Sequence, residues 1–226
     1  MINKKIIIGS RGSKLALNYA ERAKNEIFSK LNIKEKNLEI KKITTEGDKI
    51  KDVRLSDTGG KGLFSKTIEN ELLNNKIDIA VHALKDMPSD ETSGLTTNCF
   101  LERNDPREVL ISRDKKKFND LNKGSIIGTS SFRREFQFKR IRNDLKYKLI
   151  RGNVDTRIKK LNEKNFDAII LSFAGLHSLK LDQNITQIFS TSEIIPSAGQ
   201  GTIALQCREN DEEIIKILKK INHELT

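Results

Sequence analysis

The sequence predicts an α/β fold of two similar lobes with mixed, mostly parallel sheets, joined by a two-crossover hinge. Two observations carry this. Short apolar runs alternate with helix-period segments along the chain, the pattern of strands connected by crossover helices. A weak internal echo adds to it: "IIIGSRGSKLAL" (6–17) parallels "SIIGTSSFRREF" (125–136), and "KIDIAVHAL" (76–84) parallels "NFDAIILSF" (165–173). Each echo holds an apolar strand, and the first pair adds a Gly-Ser or Gly-Thr turn and a serine that opens a helix. The echo predicts two lobes of one plan, each with an anion cradle at a helix start and the ligand in the cleft between them.

In chain order, the isoleucines at 6–8 read as a strand and the amphipathic stretch 15–31 as a helix. Strands are expected at 38–43 and 77–83, with a helical pattern at 63–73 between them. After a break, strands follow at 109–111, 126–127, 147–150 and 168–171, and helices at 131–141 and 154–161. The helix at 131–141 draws its apolar face from Phe132, Phe136 and Ile141. The break falls at "ERNDPRE" (102–108), where Asn104, Asp105 and Pro106 are turn formers. A second crossing is expected at "IPSAGQG" (195–201), after which "TIALQC" returns as a strand to the first lobe. The expected domains are therefore 1–101 plus 199–226, and 102–198.

Composition narrows the partners. The chain has 226 residues, 36% hydrophobic and 32% charged, an ordinary globular balance. Its apolar runs fall far short of the ~20 residues of a membrane span, and no signal peptide precedes them, so a cytoplasmic protein without a membrane partner is expected. A net charge of +11 admits nucleic acid, an anionic membrane or a small acidic ligand. Zinc-finger spacing, RNP-type aromatics and a basic heptad region are absent from the sequence, so nucleic acid is disfavoured. Cys99 and Cys207 suit apolar packing better than a disulfide framework. His82, His177 and His223 lack ligand spacing, so no metal is expected.

The informative charges are arginines in turns. "GTSSFRR" (128–134) joins a strand to a helix, where unpaired amides and the helix dipole converge. Ser131 is the expected cap, which leaves Thr129, Ser130, Arg133 and Arg134 to be explained. Adjacent arginines in a first helical turn oppose the dipole at a cost of roughly 0.3–1 kcal/mol, which a bound anion reverses. "GSRGS" (9–13) sets Ser10, Arg11 and Ser13 at another helix start, although Ser13 as a plain N-cap with Arg11 solvated is the bland alternative. "LIRGNVDTRIKK" (149–160) repeats the pattern with Arg151, Gly152 and Arg157. Guanidinium groups match carboxylates two-pronged, so several arginines at strand ends imply several ligand carboxylates. "VHALKDMPS" (81–89) ends a strand with Lys85 and Asp86; Asp86 either pairs locally or faces the ligand site. "GGKGLF" (59–64) surrounds Lys61 with glycines but lacks P-loop spacing.

Together these motifs resemble the porphobilinogen deaminase (hydroxymethylbilane synthase) family. They are "GSRGSKLAL", "TTEGD", "GGKGLFSK", "DIAVHALKDMP", "ERNDPRE", "GTSSFRR", "LIRGNVDTRIKKL", "FDAIILSFAGL" and "PSAGQGTIALQCR", in family order over nearly the whole chain. The resemblance implies a transferase of tetrapyrrole (haem) biosynthesis that condenses four porphobilinogen units head to tail and releases ammonia. It also implies a fold like bilobal periplasmic binding proteins, a monomer, and a covalent dipyrromethane cofactor. By motif, the cofactor-binding residues are Ser13, Lys85, Asp86, Thr129, Ser130, Ser131, Arg133, Arg134, Arg151 and Gly152. The substrate-binding residues are Arg11, Ser13, Lys61, Arg151, Arg157 and Gln200, and Asp86 is the catalytic aspartate. The alternative is a bilobal small-anion binding protein without chemistry.

Two departures from the family pattern stand out. After "AGL" the family offers basic residues where this chain has His177-Ser178, so an arm contact is expected to weaken there. The family's third domain carries the cofactor-attaching cysteine in a glycine-rich loop, whereas this sequence stops at "INHELT" and neither Cys99 nor Cys207 lies in such a motif. The expectation is a chain with little synthase activity alone, through truncation, with a third domain supplied by a separate chain, or as a chain that binds pyrroles without polymerising them.

Overall fold

A computed structural model describes residues 4–31, 33–49 and 62–226. Contacts divide it into two units: among the described residues, the first holds 4–49, 62–104 and 201–226, and the second 105–200. The chain passes from first to second at 104–105 and returns at 200–201.

In the first unit, β1 (Ile6–Arg11) leads into α1 (Lys14–Lys30), then β2 (Leu38–Ile43), the short α2 (Glu46–Lys49), α3 (Lys66–Leu73), β3 (Ile79–Ala83) and β4 (Leu95–Phe100). In the second come β5 (Glu108–Ser112), β6 (Ile126–Gly128), α4 (Phe132–Ile141), β7 (Lys146–Lys148), α5 (Val154–Asn162), β8 (Ala168–Ser172), α6 (Phe173–Ser178) and β9 (Gln187–Ile188). The chain then re-enters the first unit as β10 (Ile203–Arg208) and ends in α7 (Glu212–Ile221). Both sheets are five-stranded, ordered β2-β1-β3-β10-β4 and β7-β6-β8-β5-β9. Position by position the two orders are the same plan. Pairing is parallel across β2-β1-β3 and β7-β6-β8 and antiparallel elsewhere, so each sheet is mixed.

The echo extends to side chains. The Asp78 amide donates to Ile7 O at 2.8 Å, while its Oδ2 accepts from Ile7 N at 2.8 Å. Asp167 treats Ile126 alike, at 2.9 and 2.8 Å. An arginine from the neighbouring antiparallel strand completes each clasp. Arg208 Nη2 reaches Asp78 at 3.2 Å and its Nη1 donates to Ile77 O at 2.8 Å. Arg113 Nη2 reaches Asp167 at 2.8 Å and its Nη1 donates to Phe166 O at 3.2 Å. Each aspartate therefore ties the start of one parallel strand to its neighbour, and a cation offsets the cost of burying it.

Isoleucine-rich strands pack beneath the helices to form the cores. Ile8, Ile79 and Leu205 of the first sheet meet Ala20, Ala23 and Ile27 of α1 and Ile217 and Leu218 of α7. Apolar residues at 214, 217, 218 and 221 give α7 one buried stripe. Cys99 and Cys207 lie in this core, both 0% exposed. In the second unit, Phe118, Phe138 and Phe189 meet edge to face with centroids 4.8–5.8 Å apart, the arrangement aromatic quadrupoles favour. The apolar face expected for α4 needs correcting. Phe132, Phe136 and Ile141 are 57%, 66% and 47% exposed, and Phe138 with Arg134 is buried instead. An arginine on the inward stripe hid the true face from a pattern search.

His82 on β3 lies at 7% exposure beside Gln206, its Nε2 3.2 Å from the amide oxygen. Gln206 Nε2 in turn lies 3.4 Å from Glu69 Oε1, and Thr92 donates to Glu69 Oε2 at 3.0 Å. Burial pushes the imidazole down to about 4, against a smaller upward pull from Gln206.

Two predictions concern this framework. Asp78→Ala and Asp167→Ala should each cost roughly 1–3 kcal/mol, because each leaves a strand amide, Ile7 N or Ile126 N, without its acceptor, whereas Arg208 keeps Asp211 at 2.7 Å; urea unfolding measures both. His82 is protonated on unfolding below about pH 6.5 but stays neutral when folded down to about pH 4. Its contribution is thus full above the unfolded value and lost as pH falls between the two. From about pH 7 to about pH 4.5, His82→Gln should lose roughly 2 kcal/mol less stability than wild type.

Candidate functional site

Within each unit, parallel strands deliver the candidate residues to one sheet edge. β1 and β3 run parallel with Gly9 opposite Ala80, so Arg11 at the end of β1, Ser13 in the turn after it, and Lys85 and Asp86 in the turn after β3 lie at the same carboxyl edge. β6 is parallel to both β7 and β8, which likewise brings the 129–131 turn and the 151–153 turn to one edge of the second sheet. Carboxyl edges are where open α/β sheets place ligands.

At the β6–α4 turn, Ser131 is the N-cap, its Oγ accepting from Arg134 N at 3.4 Å. Thr129 is fully buried, accepts from Ser131 N at 3.2 Å and donates its own amide to Lys148 O at 3.0 Å. The amides of Ser130 and Arg133 meet no acceptor among the described residues, nor does the buried Nε of Arg134. The two open amides fit a carboxylate, whereas the Arg134 Nε is sealed from solvent. The two arginines already share one internal anion: Glu108 lies 2.5 Å from Arg133 Nη2 and 2.7 Å from Arg134 Nη2. Burial raises the Glu108 carboxyl, but the arginines, Arg134 foremost, hold it below its ordinary value. Glu108 was not among the residues read from sequence. Its signal is an acid opening the otherwise apolar strand "EVLI".

At the β7–α5 turn, Arg157 Nε donates to Gly152 O at 2.8 Å and Lys160 Nζ donates to Arg151 O at 3.1 Å. Arg151 is half-buried, and Asn153 starts α5 without a side-chain cap. Gly152 has φ 111°, and a Cβ there would fall 2.6 Å from Thr156 Cγ2, so conformation and space both demand glycine.

In the first unit, Arg11 does not stand solvated. Its Nη2 meets Asp48 at 2.5 Å and its guanidinium stacks 3.8 Å above the Phe64 ring. Asp48 also accepts from Thr45 N and Oγ1 at 3.2 and 2.8 Å. Burial raises the Asp48 carboxyl, yet the bonds from Arg11 and Thr45 leave it lowered. Ser13 caps α1, accepting from Ala16 N at 3.3 Å. After β3 a 3₁₀ turn spans Leu84–Asp86, pinned by Leu84 N donating to Thr202 O at 3.0 Å. Lys85 is exposed and Asp86 half-buried. Asp86 forms no ion pair among the described residues, in contrast to Asp48 and Glu108. Gln200, 2% exposed, closes a turn with its amide on Ser197 O at 3.0 Å. Lys61 lies outside the described residues.

Elsewhere, His177 Nδ1 lies 2.9 Å from Asp182 Oδ1, and its ring stacks on Phe173. Burial pushes the Cys99 thiol up to about 12 and Cys207 up to about 11, so both thiols are inert and packed. Among the described residues no helix is long and apolar enough to cross a membrane.

The geometry yields one prediction. Gly152→Ala should cost roughly 1–3 kcal/mol through strain and the Thr156 contact, read by chemical unfolding.

A family model described as porphobilinogen deaminase, dipyromethane cofactor binding domain, matches residues 6–216. Porphobilinogen deaminase of Geobacillus sp. WCH70 is 48% identical over 223 residues, 97% of this chain and 70% of the relative. That of Bacillus subtilis 168 is 46% identical over 226 residues, again 70% of the relative's length. Among solved structures, a YaeC family lipoprotein of Enterococcus faecalis aligns with TM-score 0.56 at 13% identity, covering 99% of this chain and 93% of that one. The periplasmic VFT2 domain of Bordetella pertussis BvgS gives 0.52 at 12%, covering 96% and 86%. The two structures share the fold alone. With identity near one half across almost its whole length, the chain belongs to the porphobilinogen deaminase family, enzymes of tetrapyrrole biosynthesis, and carries that family's dipyrromethane-cofactor-binding region.

Proposed function

We propose that this chain handles porphobilinogen with Asp86 as its catalytic carboxylate, and that the carboxyl-edge turns within each unit supply donors for acetate and propionate arms. The supporting observation is that Asp86 closes the 3₁₀ turn after a parallel strand at such an edge without a cation partner among the described residues, while Asp48 and Glu108 are neutralised. In the second unit, Thr129, Ser130, Ser131, Arg133, Arg134, Arg151, Gly152 and Arg157 are the arm-binding candidates. In the first, Arg11, Ser13 and Lys85 are, with Lys61 added by family motif; Gln200, added likewise, ends the second unit's segment.

Porphobilinogen loses ammonia when its aminomethyl C–N bond breaks, and the pyrrole left behind is a cationic azafulvene. A fixed carboxylate stabilises that developing charge and can accept the pyrrole N–H proton. The dipyrromethane group, when bound, supplies the pyrrole end that is extended. The chain's own part is to neutralise carboxylate arms with guanidinium and amide donors, and to keep one unpaired acid for the cation.

Asp86 separates this reading from a binding protein without chemistry. With the family's third domain supplied, Asp86→Ala should cut ammonia release about 100-fold or more while porphobilinogen affinity, followed by calorimetric titration, changes about threefold or less. In a pure anion binder the same substitution removes a repulsive charge. Clearly tighter porphobilinogen binding, with no ammonia release by the wild type, would overturn the catalytic assignment.

A further inference from the structure

We infer that Glu108 is a positioning residue for the arginine pair at the start of α4: its carboxylate neutralises Arg134 and fixes Arg133, so that the turn offers a ligand carboxylate one net positive charge. The inference rests on the arm-binding reading above and divides labour within it.

Glu108 opens β5, pairs with Ser172 of β8 and accepts from Phe189 N at 3.0 Å through its carbonyl. Its backbone is fixed on both sides, and the side chain is 0% exposed. Each carboxylate oxygen serves a different guanidinium, Oε1 facing Arg133 and Oε2 facing Arg134. One carboxylate thus sets the spacing of two cations. Arg134 is committed inward, with Nη1 on Ile170 O at 3.1 Å and its side chain 9% exposed. Arg133 keeps 29% exposure and is braced from a second side by Ile195 O. Without Glu108, two adjacent cations would share a first helical turn against the dipole and against each other. A flexible arginine loses rotamer freedom when it grips a ligand, and a braced one has already lost it.

The competing idea is that Glu108 merely occupies arginines a ligand would otherwise use. The two differ in sign. For positioning, Glu108→Gln should weaken porphobilinogen binding about tenfold although the turn becomes more positive, and the effect should be coupled: Glu108→Gln in an Arg133→Lys background should add little. For competition, Glu108→Gln should bind as tightly as wild type or tighter, and that result in a folded variant would overturn the inference. If Glu108→Gln does not fold, Glu108→Asp serves. It keeps the charge but is one methylene short, so it should fold and show an intermediate loss; unchanged affinity would overturn the inference as well.

A ligand-free readout separates this inference from the functional reading. Guanidinium proton resonances of Arg133 and Arg134 in the labelled chain should exchange slowly in wild type, and those of Arg133 should broaden in the variant. Should wild type fail to bind porphobilinogen, the arm-binding reading falls, and unchanged Arg133 resonances in the variant would still sink the role given to Glu108.

Discussion

An aspartate that reaches across to the next parallel strand, and the arginine that lets it stay buried, sets the geometry of both units. Asp78 with Arg208 and Asp167 with Arg113 each tie strand start to strand start. A parallel pair has no tight hairpin to set its register, and a slip by one residue would turn its buried isoleucines outward. Pinning one end of the strands fixes where the other end finishes. The carboxyl-edge turns therefore inherit their positions from contacts made at the opposite edge.

Those turns hold arginines that already have internal partners. Arg11 lies against Asp48 and Phe64, and Arg133 and Arg134 share Glu108. The pairing lowers the cost of gathering cations at helix starts and limits how many charges remain to be met from outside. On the proposed arm-binding reading, each such turn offers a ligand carboxylate oriented donors with moderate net charge, which favours geometry over bulk attraction. Asp86 differs from the other acids here in having no such partner among the described residues, which suits an acid reserved for a transient cation.

Much of this was legible in the sequence because the periodicities are strong. Triple isoleucine at 6–8, the run at 168–171 and the returning "TIALQC" all form strands, and Ser13 and Ser131 cap as their positions imply. The 76–84 and 165–173 echo contained Asp78 and Asp167, yet the pattern alone did not reveal that each would accept an amide from a strand about 40 to 70 residues away. α4 shows the limit of binary patterning. Its buried stripe holds Arg134, a residue that pattern rules place outside, while Phe132 and Phe136 face solvent. An ion pair with Glu108 reverses the rule, and the partner comes from another strand.

The burial of Cys99 and Cys207 has a practical corollary. Both sulfhydryls belong to the first unit's core and are held as neutral thiols well above physiological pH, so a maleimide or disulfide reagent can reach them only when that core opens. The rate of labelling is then a clock for the opening of the first unit alone. The second unit, which has no cysteine between residues 105 and 200, stays silent, so labelling times the first unit with no background from the second.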